Sequence, residues 1–224
     1  MGAEHTGYRF VPLEFRRYTP EEMLARAHAF VGEIQRRRSV RHFSDEPLPE
    51  GLVDACIRAA GSAPSGAHRQ PWTFVVVTDP DVKHEIRIAA EKEEKQTYES
   101  RLTEEWREAL EPLGTDWQKP FLETAPALVA VFRQSYGVEE QRRRTNYYTT
   151  ESVGIATGFL LAALHHAGLA TLTHTPSPMG FLREVLRRPE NEKAFVLIPV
   201  GYPTEGCLVP DLARKALDEI RVRV

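Results

Sequence analysis

Arg36-Arg37-Arg38-Ser39-Val40-Arg41 sets four guanidinium groups and one hydroxyl within six residues. Arginine carries a planar fork of donors and keeps its charge, so such a cluster can neutralise a phosphate. A bare arginine run is more often the solvated end of a helix, and the other stretches of the chain have to tip the balance. Upstream, Thr19-Pro20-Glu21-Glu22 reads as a helix start, with Thr19 as N-cap, Pro20 at the first position and Glu22 closing a capping box. Met23, Ala27, Phe30, Val31 and Ile34 recur at helical spacing, so this helix delivers the arginines at its end. Downstream, an extended polar stretch runs to Pro47.

Outward from there the chain alternates helices and apolar runs. A helix from about Glu50 buries Leu52, Val53, Cys56, Ile57 and Ala60, with Gly61 suited to its C-terminal cap. The small-residue loop Ser62–Pro71 contains Pro64-Ser65-Gly66-Ala67, where a flat ligand can approach the backbone closely. Trp72–Val77 reads as a buried strand closed by a turn at Asp79-Pro80. Asp81–Leu110 is helical and very polar; Tyr98, Leu102, Trp106 and Leu110 form one narrow stripe at intervals of four. So little buried surface would hold it weakly, which makes it a candidate lid, with an ordinary solvated surface helix as the commoner alternative.

Ala127–Phe132 is a second buried strand, and Arg142-Arg143-Arg144 reads as loop surface. Tyr147–His166, apolar on most sides, is a central or interface helix ended by Gly168. Leu169–Thr173 is a strand that sets the Thr173 and Thr175 hydroxyls at its end, where ligand contacts gather. Phe181, Leu182, Val185 and Leu186 mark a short helix, and Ala194–Val200 a strand. Ile220–Val224 alternates like a strand that pairs with another subunit. The expectation is an α+β fold: residues 1–18 as an N-terminal arm, then a single domain over 19–224 with a mixed sheet flanked by helices.

Composition narrows the function. The net charge of −3 in 224 residues gives no global attraction to nucleic acid or anionic lipid. Cys56 and Cys207, far apart and without ligand spacing, suit a reducing compartment. His165 and His166 are adjacent on a helix and point apart. No His-x-x-x-His or Cys-x-x-Cys pattern supports a metal. Met1–Thr6 matches a short myristoylation pattern, which is discounted.

Three stretches together resemble a family. Arg37-Arg38-Ser39-Val40-Arg41, Ala63-Pro64-Ser65-Gly66-Ala67-His68 and Pro71–Val77 look like the nitroreductase superfamily. Asp79–His84, the Glu94, Tyr98 and Lys119 set, Thr115–Lys119, Leu161–Leu164, Pro199–Pro203 and Val209–Leu212 extend the likeness toward its iodotyrosine deiodinase branch. It runs from about residue 20 to the end of the chain.

The resemblance implies an FMN enzyme built as an intertwined homodimer with exchanged terminal arms and the flavin at the subunit interface. Carried over by position, Arg37, Arg38, Ser39, Val40 and Arg41 hold the phosphate and ribityl end, and Arg214 reaches the phosphate. Ser65 and Gly66 contact the flavin, and Thr173, His174 and Thr175 line its ring. Thr175 is the catalytic hydroxyl beside flavin N5, serving transfer of one electron at a time. His174 stands where the family often has a hydroxyl, so its backbone is expected to matter more than its side chain.

For the substrate, Glu94 pairs with an ammonium, Lys119 with a carboxylate, Tyr98 adds a hydrogen bond and the Ala67 N–H meets the phenolate. A mobile lid over about residues 91–120 closes on the substrate, which stacks on the flavin. The implied reaction is reductive dehalogenation of mono- and di-iodotyrosine to tyrosine and iodide, fed by an electron-donor protein or NAD(P)H. The alternatives are a general nitro- or quinone-reductase using NAD(P)H and a binding protein without turnover. The membrane anchor of the animal enzymes has no counterpart, which implies a soluble, cytoplasmic protein with no nucleic-acid, membrane or metal partner.

Overall fold

Thr19 caps helix α1 (Pro20–Ile34) as its sequence requires. Its hydroxyl accepts the Glu22 N–H at 3.2 Å, and the Glu22 carboxylate accepts the Thr19 N–H at 3.0 Å. The structure, a computed structural model, describes Gly7 and residues 9–224, so the Met1–Thr6 pattern and Tyr8 of the arm lie outside the described residues. By contact the chain divides into two units, Met1–Arg36 and Arg37–Val224. In the first, α1 buries no residue, and Met23, Phe30 and Val31 are exposed.

The second unit is built on a four-stranded sheet in the order β1-β2-β6-β5: β1 (Trp72–Val77), β2 (Ala127–Gln134), β5 (Ala170–Thr171) and β6 (Glu192–Gly201). These strands pair antiparallel; the bridge between Ser39 and Thr171 supplies the parallel part of a mixed sheet. β2 is apolar at every position from Ala127 to Phe132, the pattern of a strand covered on both faces. Leu128, Ala130 and Phe132 pack on one face with α3 (Pro80–Gln96), α5 (Phe121–Thr124) and α7 (Gly180–Val185), through Ile86, Leu122 and Leu182. Val129 and Val131 pack on the other with α2 (Leu52–Ala60) and α6 (Thr149–His166), through Cys56, Val153 and Leu160. The period of two along one strand thus divides the core in half.

Several expectations need correcting. β1 is an edge strand, only partly buried, with Val76 exposed. Asp79-Pro80 is not a turn but the start of α3: the Asp79 carboxylate accepts the Asp81 and Val82 N–H groups, and Pro80 takes the first helical position. The long polar helix is broken. A turn of π-helix (Thr97–Arg101) follows α3, and α4 (Glu104–Leu110) restarts with Thr103 capping Trp106. Arg142–Arg144 lie in a strand, β4 (Arg142–Thr145), hairpinned to β3 (Tyr136–Glu139); Arg143 sits over the Tyr136 ring and Arg144 pairs with Glu139. Gly61 ends α2 in a right-handed conformation, so glycine's freedom is not used there. The tail forms a short helix, α8 (Leu217–Ile220), and no strand within one chain. Among the described residues no helix is long and apolar enough to cross a membrane.

One charged side chain fixes α5. Lys83, buried, donates to the Glu123 carbonyl at 2.8 Å and the Ala125 carbonyl at 2.9 Å. Burial pushes its ammonium below the usual lysine range, and Glu123 pulls it part of the way back. Lys83→Met keeps the length and removes the donors, leaving two carbonyls short of a partner. The expected loss is about 1–3 kcal/mol in urea unfolding.

Candidate active site

Ser39 and Val40 lie parallel to β5, with the Val40 N–H donating to the Thr171 carbonyl at 3.1 Å. Val40 points into the core, and alternation turns Ser39 and Arg41 the other way. The tail folds back on this segment: Arg38 donates to the Pro210 carbonyl, and Arg214 to the Arg37 carbonyl at 2.7 Å. Between them is a cavity of about 350 Å³ lined by Arg37, Arg38, Ser39, Arg41, Thr173 and Arg214, with no carboxylate in the described lining. Burial lowers the affinity of Arg37 for its proton, and the nearby Arg214 and Arg38 charges lower it further. A phosphate relieves that repulsion and takes up the forked donors.

A second cavity, about 270 Å³, shares Arg41, Leu113, Leu172 and Thr173 with the first. Thr173 and Thr175 are exposed, while Leu172, His174 and Pro176 alternate inward, so both hydroxyls face the open side. Leu102, Trp106 and Leu110, the narrow stripe of the sequence, line this cavity with Tyr98. The π-turn re-aims the chain at this point, and Glu94 and Tyr98 still reach the same space.

Lys119 is buried at the bottom. Its ammonium lies 3.5 Å from Glu94 Oε2 and 3.3 Å from Thr115 Oγ1, donates to the Asp116 carbonyl, and sits 5.7 Å from the Tyr98 ring centre. The Tyr98 hydroxyl donates to the Thr115 carbonyl at 3.1 Å. Burial pushes Glu94 up and Lys119 down, and each charge pulls the other back toward ionisation. The pair is therefore a matched set of opposite charges with little water to screen it.

His174 departs from expectation. Its N–H and carbonyl are both consumed by Leu197, at 2.8 and 2.9 Å, so the backbone has nothing left to offer a ligand along those bonds. The side chain is buried edge-on against Phe121, and its Nε2 has no hydrogen-bond partner among the described residues. Burial, with Lys119 and Arg41 nearby, lowers its pKa to about 3, so the ring is neutral.

Ser65, Gly66 and Ala67 line neither cavity. Their loop is fixed by the Gly66 N–H donating to Ser152 Oγ at 3.3 Å and by Ser65 Oγ accepting the Gln70 N–H at 2.8 Å. A Cβ on Gly66 would come within 2.6 Å of the Tyr147 carbonyl oxygen, so no other residue fits. Ala67, His68 and Gln70 take left-handed conformations, with φ of 49°, 55° and 47°. Sequence reasoning left Leu113, Phe121 and Pro210 without a role; they line the two cavities from a short 3-10 helix, the start of the four-residue α5 and the tail, all too short to show a period.

The model of the nitroreductase family matches residues 34–202. The chain belongs to the nitroreductase family. This family member is 56% identical over 207 residues to the iodotyrosine deiodinase of Haliscomenobacter hydrossis, covering 92% of this chain and 93% of that one. It is 48% identical to human iodotyrosine deiodinase 1, over 96% of this chain and 75% of the relative. Among solved structures it resembles oxidized iodotyrosine deiodinase bound to FMN and 3-iodo-L-tyrosine, with a TM-score of 0.76 and 32% identity over 87% of this chain and 97% of that one. A Bacteroides fragilis nitroreductase with bound FMN, at TM-score 0.59 and 23% identity over 84% of this chain and 95% of that one, shares the fold.

The buried ring of His174 gives this family member an acid-sensitive point. Unfolded, the imidazole takes up its proton near the ordinary value of 6.5; folded, it does so near 3. Its contribution to stability is therefore complete above about pH 6.5 and is lost as pH falls toward 3. Between about pH 7.5 and about 5.5 the protein should lose on the order of 1 kcal/mol through this group. His174→Leu should flatten that part of the curve in urea unfolding at several pH values.

Proposed function

We propose that this chain is an FMN-dependent oxidoreductase that reductively removes halide from halotyrosines, mono- and di-iodotyrosine first among them. The observation that carries the reading is the poorly exposed Glu94–Lys119 pair, with Tyr98, lining a cavity that shares Arg41, Leu113, Leu172 and Thr173 with the arginine cradle. A zwitterionic amino acid supplies the complement of both charges, so one ion pair is exchanged for two. The names of the most similar relatives point the same way.

The arginine-lined cavity, free of carboxylates, fits the phosphate of FMN. Arg37, Arg38, Arg41 and Arg214 would hold that end, with Ser39 and Thr173 adding hydroxyls and Val40 fixing the segment through the core. Bound FMN supplies the two electrons; with one proton they convert a carbon–iodine bond to carbon–hydrogen and free iodide. Thr175 offers a hydroxyl that both donates and accepts, suited to the N5 edge of the ring and to delivery of one electron at a time. Glu94 takes the substrate ammonium, Lys119 its carboxylate, and Tyr98 a further hydrogen bond. The stretch from about 91 to 120 acts as the lid, and its apolar wall of Leu102, Trp106 and Leu110 shuts out water over the aromatic ring.

The working form is a homodimer. Ser65, Gly66 and Ala67 lie away from the cradle of their own chain, as expected if they serve the flavin and phenolate of a second copy. α6 also presents an uncovered face of Gly154, Ile155, Gly158 and Phe159, small and apolar residues that let helices approach closely.

Three experiments test this. Reduced holoprotein mixed anaerobically with iodotyrosine should be reoxidised with release of iodide. Glu94→Gln should raise the Kd for iodotyrosine by roughly tenfold or more while FMN content stays unchanged. Equal affinity of the wild type for iodotyrosine and iodophenol would sink the clamp and favour a general nitro- or quinone-reductase. For the cradle, Arg38→Ala removes a charge-assisted hydrogen bond of about 1.5–3 kcal/mol, so FMN should dissociate on dilution. Full flavin occupancy in that variant, followed by absorbance after gel filtration, would overturn the phosphate assignment.

A further inference from the structure

α3 presents Lys83, Arg87, Glu91 and Glu94 at spacings of four, four and three, hence on one face. That face is charged, and it grips α5 at both ends. At the far end Lys83 holds the Glu123 and Ala125 carbonyls. At the near end Glu91 Oε1 accepts the backbone N–H of Lys119 at 2.7 Å. The same oxygen accepts from Arg87 Nε at 2.8 Å, and the other arm of Arg87 reaches Glu123 Oε2 at 3.1 Å. Glu123 Oε1 in turn lies 2.6 Å from His84 Nδ1. The Glu91 side chain is 13% exposed, so its bonds act in a poorly screened setting.

We propose that Glu91, braced by Arg87, is a positioning residue that sets where the Lys119 ammonium stands. The substrate role of Lys119 rests on the function proposed above; the link from Glu91 to Lys119 does not. Glu91 lines neither cavity, so it touches no ligand there. Two glutamates three residues apart divide the work: Glu94 meets the Lys119 side chain, and Glu91 meets its backbone. The need for such an anchor is local. Lys119 closes an irregular segment that begins at Gly114, and its ammonium bonds to Thr115 and Asp116 of that same segment. Those contacts tie the segment to itself, whereas the Glu91 bond ties it to a long helix. Pro120 follows, with no N–H to offer. Small displacements of a binding group change productive binding steeply, so this bond governs recognition of the amino-acid end of the substrate.

The test compares FMN-loaded wild type with Glu91→Ala, Glu91→Gln and Arg87→Met. Without any substrate, amide hydrogen exchange over residues 115–122 should quicken in Glu91→Ala and stay near wild type in Glu91→Gln, which keeps an acceptor. Unchanged exchange in Glu91→Ala overturns the proposal. In turnover, Glu91→Ala should raise KM for iodotyrosine by about tenfold with kcat within about twofold, and leave iodophenol binding as it was. In a Lys119→Met background the same change should add nothing further. An equal loss with and without Lys119 means that Glu91 acts elsewhere, and overturns the proposal. If Glu91→Ala does not fold, Arg87→Met decides: a KM rise of several-fold supports the brace, and no change overturns it. A wild type that does not prefer iodotyrosine to iodophenol overturns the substrate assignment instead, and the exchange result still decides the link to Lys119.

Discussion

The antiparallel pairing of β2 with β6, buried on both faces, is the constraint on which the rest depends. Leu128, Ala130 and Phe132 look to one helical layer, Val129 and Val131 to the other, so a one-residue slip would exchange two cores of different shape. The same pair positions the site. His174 is tied to Leu197 of β6 by its N–H and carbonyl, and that bond fixes Thr173 and Thr175 on the open side. Thr171 of β5 holds Val40, which aims the arginine segment at the cavity. The chemistry-bearing residues thus hang from the sheet through the main-chain bonds of Val40 and His174, whose own side chains are buried.

Much of this was legible in the sequence, and for a physical reason. Continuous apolar runs such as Ala127–Phe132 signal doubly covered strands, Thr19-Pro20-Glu21-Glu22 signals a cap, and the arginine cluster gained its meaning from the stretches that accompany it. What was missed lacks period. β3 and β4 are short and exposed; Arg142–Arg144 form a strand because Arg143 covers Tyr136 and Arg144 meets Glu139, contacts that a hydrophobicity pattern does not carry. The single-chain sequence also shows a strand-like tail at Ile220–Val224 that takes no strand form here.

The polar helix after Asp79 holds the sharper lesson. Judged by apolar positions, it buries little. Its buried residues include Lys83, however, and its partners are carbonyls, an amide and carboxylates. Charge set against the main chain fastens an element as firmly as a greasy stripe, yet leaves no hydrophobic trace. The stripe that was visible, Leu102, Trp106 and Leu110, serves the cavity. Along this stretch the charged face braces α5 and the segment before it, while the apolar side chains line the cavity.

β1 has one side bonded to β2, and among the described residues no strand pairs with its other side. The edge of such a strand, here beside the exposed Val76, is a template on which an extended segment can dock. An isolated chain of this protein therefore carries a built-in hazard of wrong edge-to-edge association while it is newly made. Escape from aggregation then depends on chain concentration and on how fast the chain folds.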